Sequence, residues 1–150
     1  MRHALFSLAA LSLLSVTAPV RAQALRYDGL YQSGVVDWIG RGRDAAPVWS
    51  YLRFYPDGTV VNTSTPGRPE QLGWLRISNE SLPAGTVEVE GNRLSFSVRE
   101  GNNPAVDYEG EIVGDRLHLR IHSHINGYRG EEVYVFVPAA AGAVPPPDRE

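Results

Sequence analysis

From about residue 25 onward, apolar positions recur at every second residue in short runs, and each run is closed by Gly, Asn, Asp or Pro. Alternation at period two marks a strand with one buried face, and apolar residues at helical spacing are nearly absent over the same stretch. The pattern predicts an all-β domain.

The turns fix which residues face one another. Val113-Gly114-Asp115-Arg116 reads as a two-residue hairpin, which sets Ile112 opposite Leu117, Gly110 opposite Leu119 and Tyr108 opposite Ile121 on one apolar face. The other face sets Glu111 against His118, Glu109 against Arg120 and Asp107 against His122, acid against base three times over. A slip of one residue would destroy both agreements. Glu90-Gly91-Asn92-Arg93 gives a second hairpin, with Val89 opposite Leu94 and Val87 opposite Phe96. A third turns at Pro56-Asp57-Gly58, where proline presets φ and glycine takes the left-handed position.

Strands are expected near 29–39, in a pair over 48–64, at 86–90, and then as a meander at 93–99, 106–113, 116–124 and 131–137. About eight or nine short strands joined mostly by hairpins suit a closed antiparallel up-and-down barrel, because closure removes exposed edges. A two-sheet sandwich is the alternative, disfavoured because it more often needs long crossovers. Residues 65–85 interrupt the alternation. Within them, Pro69 followed by Glu70 suggests a short helix near 69–77, set as a lid across one end of the barrel with Leu72, Trp74 or Leu75 against the rim.

The two ends of the chain differ from this pattern. Residues 1–22 show a basic start at Arg2, an apolar stretch from Ala4 to Val16 too short to span a bilayer, and small residues at Val20-Arg21-Ala22, the marks of a cleavable signal peptide. A cut after Ala24 satisfies the same rule. The expected domains are thus 1–22 signal peptide, 23–138 a single barrel, and 139–150 a disordered tail with Pro145-Pro146-Pro147. Location is expected to be secreted or periplasmic, with no membrane span after cleavage.

Composition narrows the partners. There is no cysteine, so neither a disulfide framework nor a lipid-bearing cysteine is available. All basic residues are arginine, and beyond residue 22 there are 12 of them against 17 acids. No basic stripe offers a footprint for nucleic acid. No cofactor-binding glycine loop, Gly-x-Ser-x-Gly elbow or cysteine nucleophile is present, so the expectation is a non-enzymatic protein without a cofactor.

One local feature carries possible chemistry. His118, His122 and His124 share parity on one strand, and the His122-x-His124 pair has the spacing of strand-borne metal ligands, with His118, Asp107 or Glu109 as a third donor. Cross-strand pairing with acids accounts for the same residues without a metal, so a metal-binding protein ranks last and no metal is expected.

Asp28-Gly29-Leu30-Tyr31, followed by the meander, resembles the lipocalin-like or calycin group of small barrels, in which a Gly-x-Trp motif lies on the first strand. Here Tyr31 stands where tryptophan would, and no closing arginine signature accompanies it. The resemblance implies binding of a small apolar or amphiphilic ligand inside the barrel, lined by Phe54, Leu94, Phe96, Tyr108, Ile112, Leu119 and Ile121. The competing expectation is a protein-binding module of the cell envelope, an inhibitor or assembly factor, with a filled barrel and an exposed aromatic patch around Tyr51, Tyr55 or Trp38.

Overall fold

The computed structural model describes residues 24–73, 75, 76 and 81–139. The signal-peptide segment, nearly all of the proline-rich tail and Trp74 lie outside them. Eight strands run in chain order: β1 (Gly29–Ile39), β2 (Ala46–Phe54), β3 (Thr59–Thr65), β4 (Ala84–Glu90), β5 (Arg93–Val98), β6 (Val106–Val113), β7 (Arg116–Ser123) and β8 (Arg129–Pro138). Each pairs antiparallel with the next, and β8 returns to β1 through Gly29 with Pro138 and Gln32 with Val135. The result is a closed up-and-down barrel.

The registers counted from the turns hold. Ile112 faces Leu117, Tyr108 faces Ile121 and Asp107 faces His122 across β6 and β7, and Val87 faces Phe96 across β4 and β5. Gly58, Gly91 and Gly114 all have positive φ in the tight turns, where a side chain would be strained.

Alternation sends one set of side chains inward. Tyr31, Leu52, Phe54, Val60, Leu94, Phe96, Tyr108, Ile112, Leu117, Leu119, Ile121, Tyr134 and Phe136 are buried together in one core. Leu25 joins them, and the Arg26 guanidinium lies 3.8 Å over the Phe136 ring. The segment leading into β1 therefore covers the barrel end where Gly29 and Pro138 pair. Gly110 lies on the inward face of β6, where a Cβ would strike the carbonyl oxygen of His118 on β7. Only glycine lets the two backbones approach so closely.

A second core lies outside the wall. Leu30, Tyr51, Tyr55 and Val61 have the opposite parity and pack against Leu72, Leu75 and Leu82 from the β3–β4 connection. Among the described residues of the helix expected near 69–77, the helical part is a single 3₁₀ turn, Pro69–Gln71; Trp74 and residue 77 lie outside the described residues. Further i→i+3 bonds run from Leu72 N to Pro69 O and from Leu75 N to Leu72 O. That tighter winding eclipses residues three apart, so Leu72 and Leu75 point the same way, onto β2 and β3. The connection is a strap on the barrel's side and not a lid across its end, because Tyr51 and Tyr55 provide the apolar surface there.

Arg53 is buried beneath the strap. Its Nη1 donates to Leu75 O at 2.9 Å and its guanidinium lies 4.8 Å over the Tyr55 ring. Burial lowers its pKa, the cost of placing a cation in a site of low polarity. The carbonyl and the ring face offset that cost and tie the strap to β2.

Candidate functional site

Three places in the fold offer something beyond stability: the lumen, the outer wall of β4–β8 and the far end of β1. The seven residues expected to line a ligand space all face the lumen, and there they pack on one another. Tyr31 meets Phe54 at 5.6 Å between ring centroids, Phe54 meets Phe96 at 5.4 Å, and Phe96 stacks on Tyr108 at 4.7 Å. Phe54 comes from β2 and Phe96 from β5, so this chain of rings crosses the barrel. An eight-stranded barrel is just wide enough to be filled by side chains or to hold one small ligand, and here contacting rings occupy the space between β2 and β5.

The lumen also holds polar groups that the alternation did not flag. Tyr134 Oη donates to Ser50 Oγ at 3.0 Å, Asn62 Nδ2 donates to the same oxygen at 3.1 Å, and Ser50 N donates to Ser33 Oγ at 2.8 Å. Glu132, opposite Leu119, shares the inward face with Tyr134 and Phe136. Desolvation raises its carboxyl pKa, while a hydrogen bond with Tyr134 acts in the opposite direction. Burial pushes the Tyr108 hydroxyl up to about 12 and Tyr134 well above the ordinary tyrosine range. Glu132 was legible in principle, since Glu132, Tyr134 and Phe136 share parity. Asn62, in a glycosylation-type Asn-Thr-Ser triplet, is committed inward to Ser50 and to the carbonyl of Tyr51.

Beyond the barrel wall, β1 and β2 continue together. β8 pairs with β1 only over Gly29–Gln32, and β3 reaches along β2 only as far as Trp49. Val35 through Ile39 therefore pair with Ala46 to Trp49 of β2 alone, with register shifts at Val35. The extension ends in the 3₁₀ turn Gly42–Asp44. Val35, Val36, Trp38 and Ile39 are exposed on this ribbon, Trp38 to 60% and Ile39 to 55%. Of the three aromatic residues expected in a surface patch, Trp38 alone is there: Tyr51 and Tyr55 are buried beneath the strap.

The outer wall of β4–β8 is mostly charged and polar, with Val113, Val133 and Val135 exposed among these groups. Glu88, Ser95, Glu109, Arg120 and Glu131 form a row straight across five strands, and Glu90, Arg93, Glu111, His118 and Val133 form the next. Residues of these rows line two grooves, which also include Leu94, Leu119 and Glu132 in one and Phe96, Tyr108 and Ile121 in the other. Glu109 and Arg120 form an exposed ion pair at 3.0 Å.

At the end of this wall the expected acid–base ladder changes. Asp107 faces His122 in register, yet its Oδ2 is bonded to Nε2 of His124 at 2.6 Å, two residues further on. Ser97 Oγ donates to the other carboxylate oxygen at 2.5 Å. The His122 and His124 rings lie 4.2 Å apart. The hydrogen bonds from Ser97 and then His124 hold the Asp107 carboxyl below its ordinary range. His122 is also lowered, by desolvation first and then by Arg129 and His124. Asp107, His122 and His124 each offer a donor atom, all within 4.8 Å of one another. His118, one of the three histidines singled out from the sequence, belongs instead to the row with Glu111 and Val133.

No protein-family model, curated protein or solved structure matches this chain. Among the described residues, no helix is long and apolar enough to cross a membrane.

Proposed function

We propose that this chain is an exported, calycin-like, non-enzymatic binding module that engages a protein partner through its β1–β2 ribbon. The observation that carries the reading is the contrast between a lumen crossed by contacting rings and a ribbon that leaves Trp38 and Ile39 in solvent. Exposed apolar residues clustered on a projecting element are characteristic of interaction surfaces.

The ribbon is also chemically suited to the task. Beyond Gln32 and Trp49 its outer strand edges are unpaired by β8 and β3, and an isolated two-stranded ribbon is only marginally stable in water. A partner strand added along either edge would satisfy its backbone groups, with Trp38 and Ile39 supplying apolar contact. Export is supported by the signal-like residues 1–22, and kinship with calycins by the eight-stranded closed barrel with Tyr31 at the motif position.

A photo-crosslinking residue placed at Trp38 tests this reading in intact cells. The expected result is a discrete adduct absent when the same residue replaces Glu111 on the outer wall. Equal labelling at both positions, or none at Trp38, would overturn it.

A further inference from the structure

The geometry points to a binding site for a divalent first-row metal ion of the zinc type, formed by Asp107, His122 and His124. The site is independent of the ribbon, though both lie at the barrel end that carries the β1–β2, β5–β6 and β7–β8 connections.

The donors come from two adjacent strands. Asp107 stands near the start of β6, His122 lies opposite it on β7, and His124 follows just beyond the end of that strand. A zinc ion takes imidazole nitrogen and carboxylate oxygen at about 2.0–2.2 Å, so tetrahedral donors sit roughly 3.3–3.5 Å apart. Donor atoms already within 4.8 Å of one another need only side-chain adjustment to reach that spacing. Two imidazoles with one carboxylate suit zinc, copper or nickel and are poorly matched to calcium or magnesium, which take oxygen ligands.

The surroundings add an orienting contact. Ser97 Oγ holds Asp107 Oδ1 from β5, leaving Oδ2 directed at the histidines. That is the role of outer groups that hold a metal-ligating carboxylate in place. At present Oδ2 and His124 Nε2 share a hydrogen bond at 2.6 Å. Metal entry would replace that bond with two coordinate bonds and displace any proton held there. Three protein ligands leave a fourth position for water or for a donor from a partner.

Isothermal titration of the full chain, expressed without a histidine tag and stripped with chelator, tests the site with zinc chloride. One equivalent should bind. His122→Ala and His124→Ala should each abolish saturable uptake, Ser97→Ala should weaken it about tenfold or more, and His118→Ala should leave it intact. Unfolding midpoints confirm that the variants fold, since these side chains lie on the surface. Uptake that is absent in the wild-type chain, or indifferent to His122→Ala and His124→Ala, would overturn the site.

Discussion

Phe54 on β2 and Phe96 on β5 meet edge to face across the lumen, with ring centroids 5.4 Å apart and planes at 87°. Neither strand neighbours the other in the sheet. The contact spans the lumen between strands three places apart around the barrel.

Truncating either ring should therefore be costly. Phe54→Ala or Phe96→Ala is expected to destabilise the fold by about 3–5 kcal/mol, the usual cost of removing a buried phenylalanine when the surroundings relax only in part. Urea denaturation gives the value. A loss below about 1 kcal/mol would mean that the lumen is loosely packed.

Glu132 gives the lumen a pH dependence of known sign. Its folded-state pKa is raised, so its contribution to stability is fully present below the unfolded carboxyl value and is lost as pH rises through the folded value. Glu132→Gln should remove that part of the profile and leave the protein at least as stable near neutral pH. Asp107 runs the other way: its lowered pKa contributes stability above the unfolded value that is lost in acid. Chemical denaturation from about pH 2 to pH 8 separates the two, Asp107 acting below about pH 4 and Glu132 above it, and an unchanged slope in Glu132→Gln would remove the carboxyl from this role.

Arg53 should control the strap more than the barrel. Replacing it with alanine withdraws the donor to Leu75 O and the cation over Tyr55. A cost of about 1–3 kcal/mol is expected for the carbonyl and ring left behind. Hydrogen exchange should accelerate around Leu72 and Leu75 while β6 and β7 stay protected. Uniform acceleration across the barrel would show that the strap and wall unfold as one unit.

Gly110→Ala tests the close approach of β6 to β7. The added methyl would meet the backbone carbonyl of His118, which cannot rotate away as a side chain can. A loss of about 1–3 kcal/mol is expected from overpacking, read from the denaturation midpoint. Gly110→Ala with wild-type stability would show that the two backbones can move apart.

Much of this architecture can be read from the chain because the strands are joined by tight turns. The β6–β7 register follows from Gly114-Asp115 and from apolar and charged faces that agree only in one alignment. The strap's placement escapes that logic. Its signal lies at the end of β2, where Tyr51, Leu52, Arg53 and Phe54, with Tyr55 just beyond, are buried on both parities, yet a strand buried on both faces does not say what covers its second face. The ribbon is hidden for another reason: its freedom depends on how far β8 and β3 extend, a property of distant segments. The shift of Asp107 from His122 to His124 arises past the end of β7, where register no longer determines neighbours.

Native mass spectrometry of the intact protein, compared with its mass after denaturation, tests most directly whether the barrel works through its surface with its lumen filled by its own side chains. The expected native mass is that of the polypeptide, with or without a bound metal ion, and no organic molecule is released on unfolding. Release of a stoichiometric apolar or amphiphilic compound would contradict the account and return function to the space between Phe54, Phe96 and Tyr108.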